Sequence, residues 1–174
     1  MSGETPAAGA APAGSDGVLL LREIDHSDVA VLLARYGLEL RIVGEGSPIP
    51  GSYWGEPEAG LVGHAVFARP DTPVHSLLHE AAHLIVIDPA RRRSVHTDAT
   101  DSVEEEDAVC VLQSLLGDAL PGVGARRVLA DMDAWGYTFR LGSARAYVDQ
   151  DAGSAWEWLL RRGLVSPERQ LLPP

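Results

Sequence analysis

The chain contains one cysteine, Cys110. No disulfide can form within it, so stability must come from packing or from a metal, as expected for a reducing, cytoplasmic setting. Positive charge is also scarce, with 14 Lys and Arg against 25 Asp and Glu and a formal net charge of −11. That balance repels phosphate backbones and anionic lipid, so neither nucleic acid nor a membrane is an expected partner. No apolar run approaches the roughly 18 residues of a membrane-crossing helix, and the stretch after His83 breaks at Asp88-Pro89. The opening "MSGETPAAGAAPAGSDG" lacks both the basic start and the apolar centre of a signal or transit peptide. It reads as a disordered tail over residues 1–17, leaving residues 18–174 as a single domain. A chain of 174 residues that is 45% hydrophobic has enough material for one core.

Element signals follow. "HSDVAVLLARYG" offers Ser27 or Asp28 as an N-cap, then Val29, Leu32, Leu33 and Tyr36 at helical spacing, with Gly37 as a stop. "LELRIV" alternates as a strand and runs into the Gly/Pro-rich "GEGSPIPGSYWGEPEAG". "LVGHAVFAR" reads as a second strand, and "PDTP" links it to the helix that bears HEAAH. Beyond the polar loop "DPARRRSVHTDATD", a helix beginning near Ser102 has an acidic first turn and Gly117 as its stop. "VGARRVLADMDAWG" and "SAWEWLLRRG" are further amphipathic helices, joined by a short extended piece and a helical turn. The order predicts an α+β fold, a small β-sheet packed on a helical bundle.

HEAAH, residues 79–83, places three ionisable groups in an otherwise apolar helix, and each costs free energy to bury unless something satisfies it. Residues four apart on a helix differ by about 40° in direction, so His79 and His83 can point their imidazoles at one position. Catalytic Zn2+ takes three protein ligands and leaves a fourth place open, so a third ligand is needed downstream. Glu80, about 100° around the helix from His79, can stand beside the reacting water as a general base without binding the metal. The candidate third ligands are Glu104, Glu105, Glu106 and Asp107 on the next helix. A solvated first turn that favours the helix dipole explains the group without any metal. Glu105 is the best match on phase, since it shares the face of Ala108, Leu112, Leu115 and Leu116.

HExxH on one helix, with Glu-x-x-Ala on the next, resembles the gluzincin zinc metallopeptidases. "EEEDAVCVLQSLL" resembles their ImmA/IrrE-like branch at Glu105, Ala108, Leu115 and Leu116, and departs from it at Val109, Val111 and Leu112. The resemblance runs from Val74 to Leu116. It implies a zincin-like fold whose active-site helix carries HEAAH, with zinc held by His79, His83 and Glu105, and Glu80 as catalytic base. The expected activity is hydrolysis of a peptide or protein substrate. The rival is a non-catalytic interaction or regulatory module on the same fold, with structural metal or none.

Other residues carry weaker signals. His75 reads as a capping or surface histidine before it reads as an accessory group behind the ligands, and His64 as a sheet-surface residue. His96 ranks below Glu105 as a ligand because its loop offers no regular frame. Tyr53, Tyr137 and Tyr147 are candidate donors to a developing oxyanion. Trp135, Tyr137, Phe139, Trp156 and Trp158 read as packing between helices, Arg91–Arg93 as a solvated basic loop, and Cys110 as an inert buried thiol.

Overall fold

A computed structural model describes residues 17–100 and 102–174. The expected tail, apart from residue 17, lies outside them. Helix α1 spans His26–Arg35. Its cap is Asp25, rather than Ser27 or Asp28: the Asp25 carboxylate accepts from the Ser27 amide and so satisfies a donor the first turn leaves open. Val29, Leu32 and Leu33 are buried as the spacing requires, and Gly37 at φ 72° ends the helix.

Strand β1 (Glu39–Ile42) follows α1 directly. The segment expected as one second strand is instead a hairpin of β2 (Gly60–Val62) and β3 (Ala65–Ala68). Val62 pairs with Ala65 across the two-residue turn Gly63-His64. Gly63, at φ 61°, supplies the positive dihedral such a turn needs. That glycine overrides the alternating pattern, so His64 sits at an exposed loop tip rather than on the sheet surface. The strand order is β1-β3-β2, with β1 parallel and β2 antiparallel to β3. The class is α+β, with a small mixed sheet beside a larger body of helices.

Leaving β3, the chain turns on Arg69–Thr72 and enters α2, Val74–Val86. The Thr72 hydroxyl accepts from the Arg69 amide, while the Arg69 guanidinium grips Asp71 and Glu56. Every residue of α2 except Glu80 is buried, which identifies it as the helix the rest of the domain packs around. Its most extensive partner is α3, Val103–Asp118. Ser102 caps α3 by accepting from the Glu105 amide. Gly117 does not stop this helix: it lies within the last turn, where a Cβ would come 2.5 Å from Val128 Cγ2. Its role is to let α4 (Ala125–Trp135) approach closely. α4 ends at Gly136, φ 104°. No strand follows among the described residues. A short helix, α5 (Ala144–Ala146), widens into a π-type turn over Tyr147–Asp151 before α6 (Gly153–Arg161). Trp156 and Trp158 are buried on α6, as a packing role predicts.

Candidate metal centre

His79, Glu80 and His83 come together because α2 puts them on adjacent turns and the surrounding elements leave them nowhere else to point. Their potential ligating atoms lie within 4.8 Å of one another. The two imidazoles meet edge to face, with His79 Nε2 and His83 Nε2 only 3.1 Å apart.

The opposite edges of both rings are committed. Gln113, on the buried face of α3, donates its amide N–H to the His75 carbonyl at 2.7 Å, so its oxygen faces His79. His79 Nδ1–H therefore donates to Gln113 Oε1 at 3.0 Å. Around His83, the Thr100 hydroxyl donates to Glu106 Oε1 at 2.6 Å. Its remaining lone pairs accept from His83 Nδ1–H at 3.0 Å. With both Nδ1 atoms protonated, a neutral imidazole has only a lone pair left at Nε2. Burial keeps both rings neutral by lowering their pKa, with the nearby His79 adding to the effect at His83. Two Nε2 atoms thus approach each other in a buried space, and together with Glu80 they form a group that could hold a metal ion. A tetrahedral ion at Zn–N distances of about 2.0–2.1 Å separates two nitrogens by about 3.3 Å, close to the spacing here.

Glu80 is the partly exposed member of the group, and no hydrogen-bond donor reaches its carboxylate among the described residues. Its pKa is raised well above the ordinary carboxylate range, first by desolvation and then by the charges of Glu58, Glu106 and Asp98. Glu58, held by Trp135 Nε1 at 2.8 Å, and Glu106 are themselves raised by burial. Like charges crowd the site, and a divalent cation would relieve them.

Glu105 turns inward, as its phase predicts, while Glu104 stays exposed. Its carboxylate nevertheless lies outside the His79–Glu80–His83 group and accepts from Arg91 at 2.7 Å. Glu106 comes nearer the histidines, 3.8 Å from His83 Nδ1, but on the edge facing away from His79. Asp107 shows no contact with the pair, and its backbone carbonyl accepts from the Tyr147 hydroxyl.

Several expectations need correction. His75 is neither cap nor surface: it is 1% exposed, wedged between Trp135 and Tyr137, with both ring nitrogens unbonded. Arg91 and Arg92 are not simply solvated. Arg91 binds Glu105, and Arg92 binds the carbonyls of Leu84 and Tyr36, because the 3₁₀ turn Pro89–Ser94 folds them back onto the domain. Of the three candidate tyrosines, Tyr137 packs against the His79 ring at 5.7 Å between centroids, Tyr147 is turned toward Asp107, and Tyr53 is exposed beside Trp54. His96 is exposed, and its ring meets the Thr97 hydroxyl. Cys110 is buried, and desolvation pushes its thiol pKa up, as an inert thiol requires.

Gln113 and Thr100 were missed. Gln113 had a signal, a lone amide on an apolar helix face, whereas Thr100 sits in an irregular loop with no pattern to mark it. No helix among the described residues is long and apolar enough to cross a membrane. The chain matches no protein-family model, no curated protein and no solved structure.

Proposed function

We propose that this chain is a zinc-dependent hydrolase of zincin-like fold, a peptidase acting on a peptide or protein. His79 and His83 supply the nitrogen ligands, Glu105 the carboxylate ligand and Glu80 the general base. The observation that carries this reading is the 3.1 Å approach of two Nε2 atoms whose opposite edges are both committed as donors. Bound there, zinc would supply Lewis acidity toward water and a carbonyl oxygen. The protein's own contribution is positional. Gln113 and the Thr100–Glu106 pair hold the two rings in the tautomer that presents Nε2 lone pairs inward. Glu80, without a hydrogen-bond partner among the described residues and one helical step from His79, is placed to take a proton from water. Desolvation first, and then its like-charged neighbours, raise its basicity, and a bound cation would lower it again. Service by Glu105 requires it to offer the metal an oxygen while Arg91 holds the other, or to exchange that pairing. The likeness of HEAAH and Glu-x-x-Ala to the gluzincins points the same way.

Elemental analysis of protein purified without added metal should find about one zinc per chain in wild type and in Glu80→Gln, and none in His83→Ala. Glu105→Ala should lose zinc and Glu106→Ala should retain most of it; the reverse result moves the third ligand to Glu106. Incubated with cell lysate, wild type should create new peptide termini that Glu80→Gln does not, with a rate loss on the order of 10³-fold. Identical termini from both would favour the non-catalytic module.

A further inference from the structure

Behind the metal centre, at the C-terminal end of α2, lies a groove of about 450 Å³. The end of α1, the 3₁₀ turn at Pro89 and the segment after α6 form its walls. Arg35, Arg92 and Arg162 line it, in a chain whose formal charge is −11. Arg92 is the unusual member. Its Nε and Nη1 donate to the carbonyls of Leu84 and Tyr36 at 2.9 and 2.8 Å, and it forms no ion pair among the described residues. Arg69, which is buried, and Arg91, which is half-buried like Arg92, each meet a carboxylate. A guanidinium half withdrawn from water and hydrogen-bonded only to neutral oxygens has no carboxylate in direct contact to balance its charge. Burial lowers the Arg92 pKa, opposed only by the charge of Asp88. Arg35 and Arg162 are exposed and form no ion pair among the described residues, and Arg162 is steadied over the Trp158 ring at 4.5 Å.

We propose that this groove binds an amphipathic monocarboxylate, its head held by Arg35, Arg92 and Arg162 and its apolar body lying on Tyr36, Ile85 and Leu164. A planar carboxylate matches the guanidinium fork. The volume is in the range of small-molecule sites, which favours a short acyl or aryl acid over a folded partner. Asp88, also in the lining, disfavours a second negative charge and hence a dianionic phosphate.

The probe is octanoate, titrated into the full chain and followed by amide chemical shifts, with 1-octanol and inorganic phosphate as comparisons. Saturable shifts are expected at Tyr36, Ile85 and Leu164. Binding of 1-octanol should be at least tenfold weaker, and phosphate should give no saturable shifts there. The double variant Arg35→Gln/Arg162→Gln, both exposed positions, should weaken octanoate at least tenfold with its thermal midpoint unchanged. His83→Ala should leave octanoate binding intact, which separates this site from the metal centre whatever becomes of the peptidase reading. No shifts in the groove, equal binding by the double variant, or loss in His83→Ala would each overturn the proposal. Tighter binding by phosphate than by octanoate would do the same.

Discussion

His75 shows what a single residue costs when its environment offers no partner. Both nitrogens are buried without a hydrogen bond, and desolvation, with His79 adding to it, lowers the pKa to about 3. The sign follows directly. Below about 6.5 the unfolded chain takes up a proton here that the folded chain refuses until about 3. Stability is therefore lost as pH falls through that window. Phe keeps an aromatic ring between Trp135 and Tyr137 and removes both the orphaned nitrogens and the titration. His75→Phe should stabilise the protein against urea at pH 4.5 by on the order of 2 kcal/mol more than at pH 7.5. An equal change at both pH values would show that His75 titrates normally in the fold. HEAAH was legible at this scale because an i, i+4 pair depends only on helix geometry. The fate of Glu105 was not. Its inward phase was readable, but its pairing depends on Arg91, which a 3₁₀ turn fourteen residues earlier delivers.

At the scale of elements, the helix cores were legible and their ends were less so. Caps are decided by single contacts, as the Asp25 carboxylate on the Ser27 amide illustrates. Gly117 had the look of a stop signal, yet it is the contact point of α3 with α4. Gly117→Ala gains about 1 kcal/mol of helix propensity but drives a methyl group into Val128 and close to the Gly124 carbonyl. Overpacking of this kind costs typically about 1–3 kcal/mol, and the nearby backbone leaves little room to yield. The variant should therefore have a lower thermal midpoint than wild type. A higher midpoint would mean that α4 shifts freely and that the glycine is not required. The hairpin departs from the expected single strand for a related reason: "LVGHAVFAR" alternates well enough for one strand, and the positive φ of Gly63 folds it in two.

For the molecule as a whole, the proposed centre would join α2 to α3, the most extensively packed helix pair. Zinc that binds only the folded state stabilises it by about 4 kcal/mol when free metal exceeds Kd a thousandfold. Thermal melts should show a clear upward shift of wild type on adding zinc to chelator-treated protein, and no shift for His83→Ala. Equal shifts in both would place the binding elsewhere.

The sequence by itself determined the α+β class, the helix that carries HEAAH, the facing of His79 and His83 and the burial of Glu105, because these follow from periodicities within one or two turns. Tertiary structure alone decided that Gln113, 34 residues away, orients His79, that Thr100 links His83 to Glu106, and that Glu105 meets Arg91. It also gathered Arg35, Arg92 and Arg162 around one groove. Such contacts join segments whose local patterns are independent of each other, and only the packing of the assembled chain sets which polar groups share a buried space.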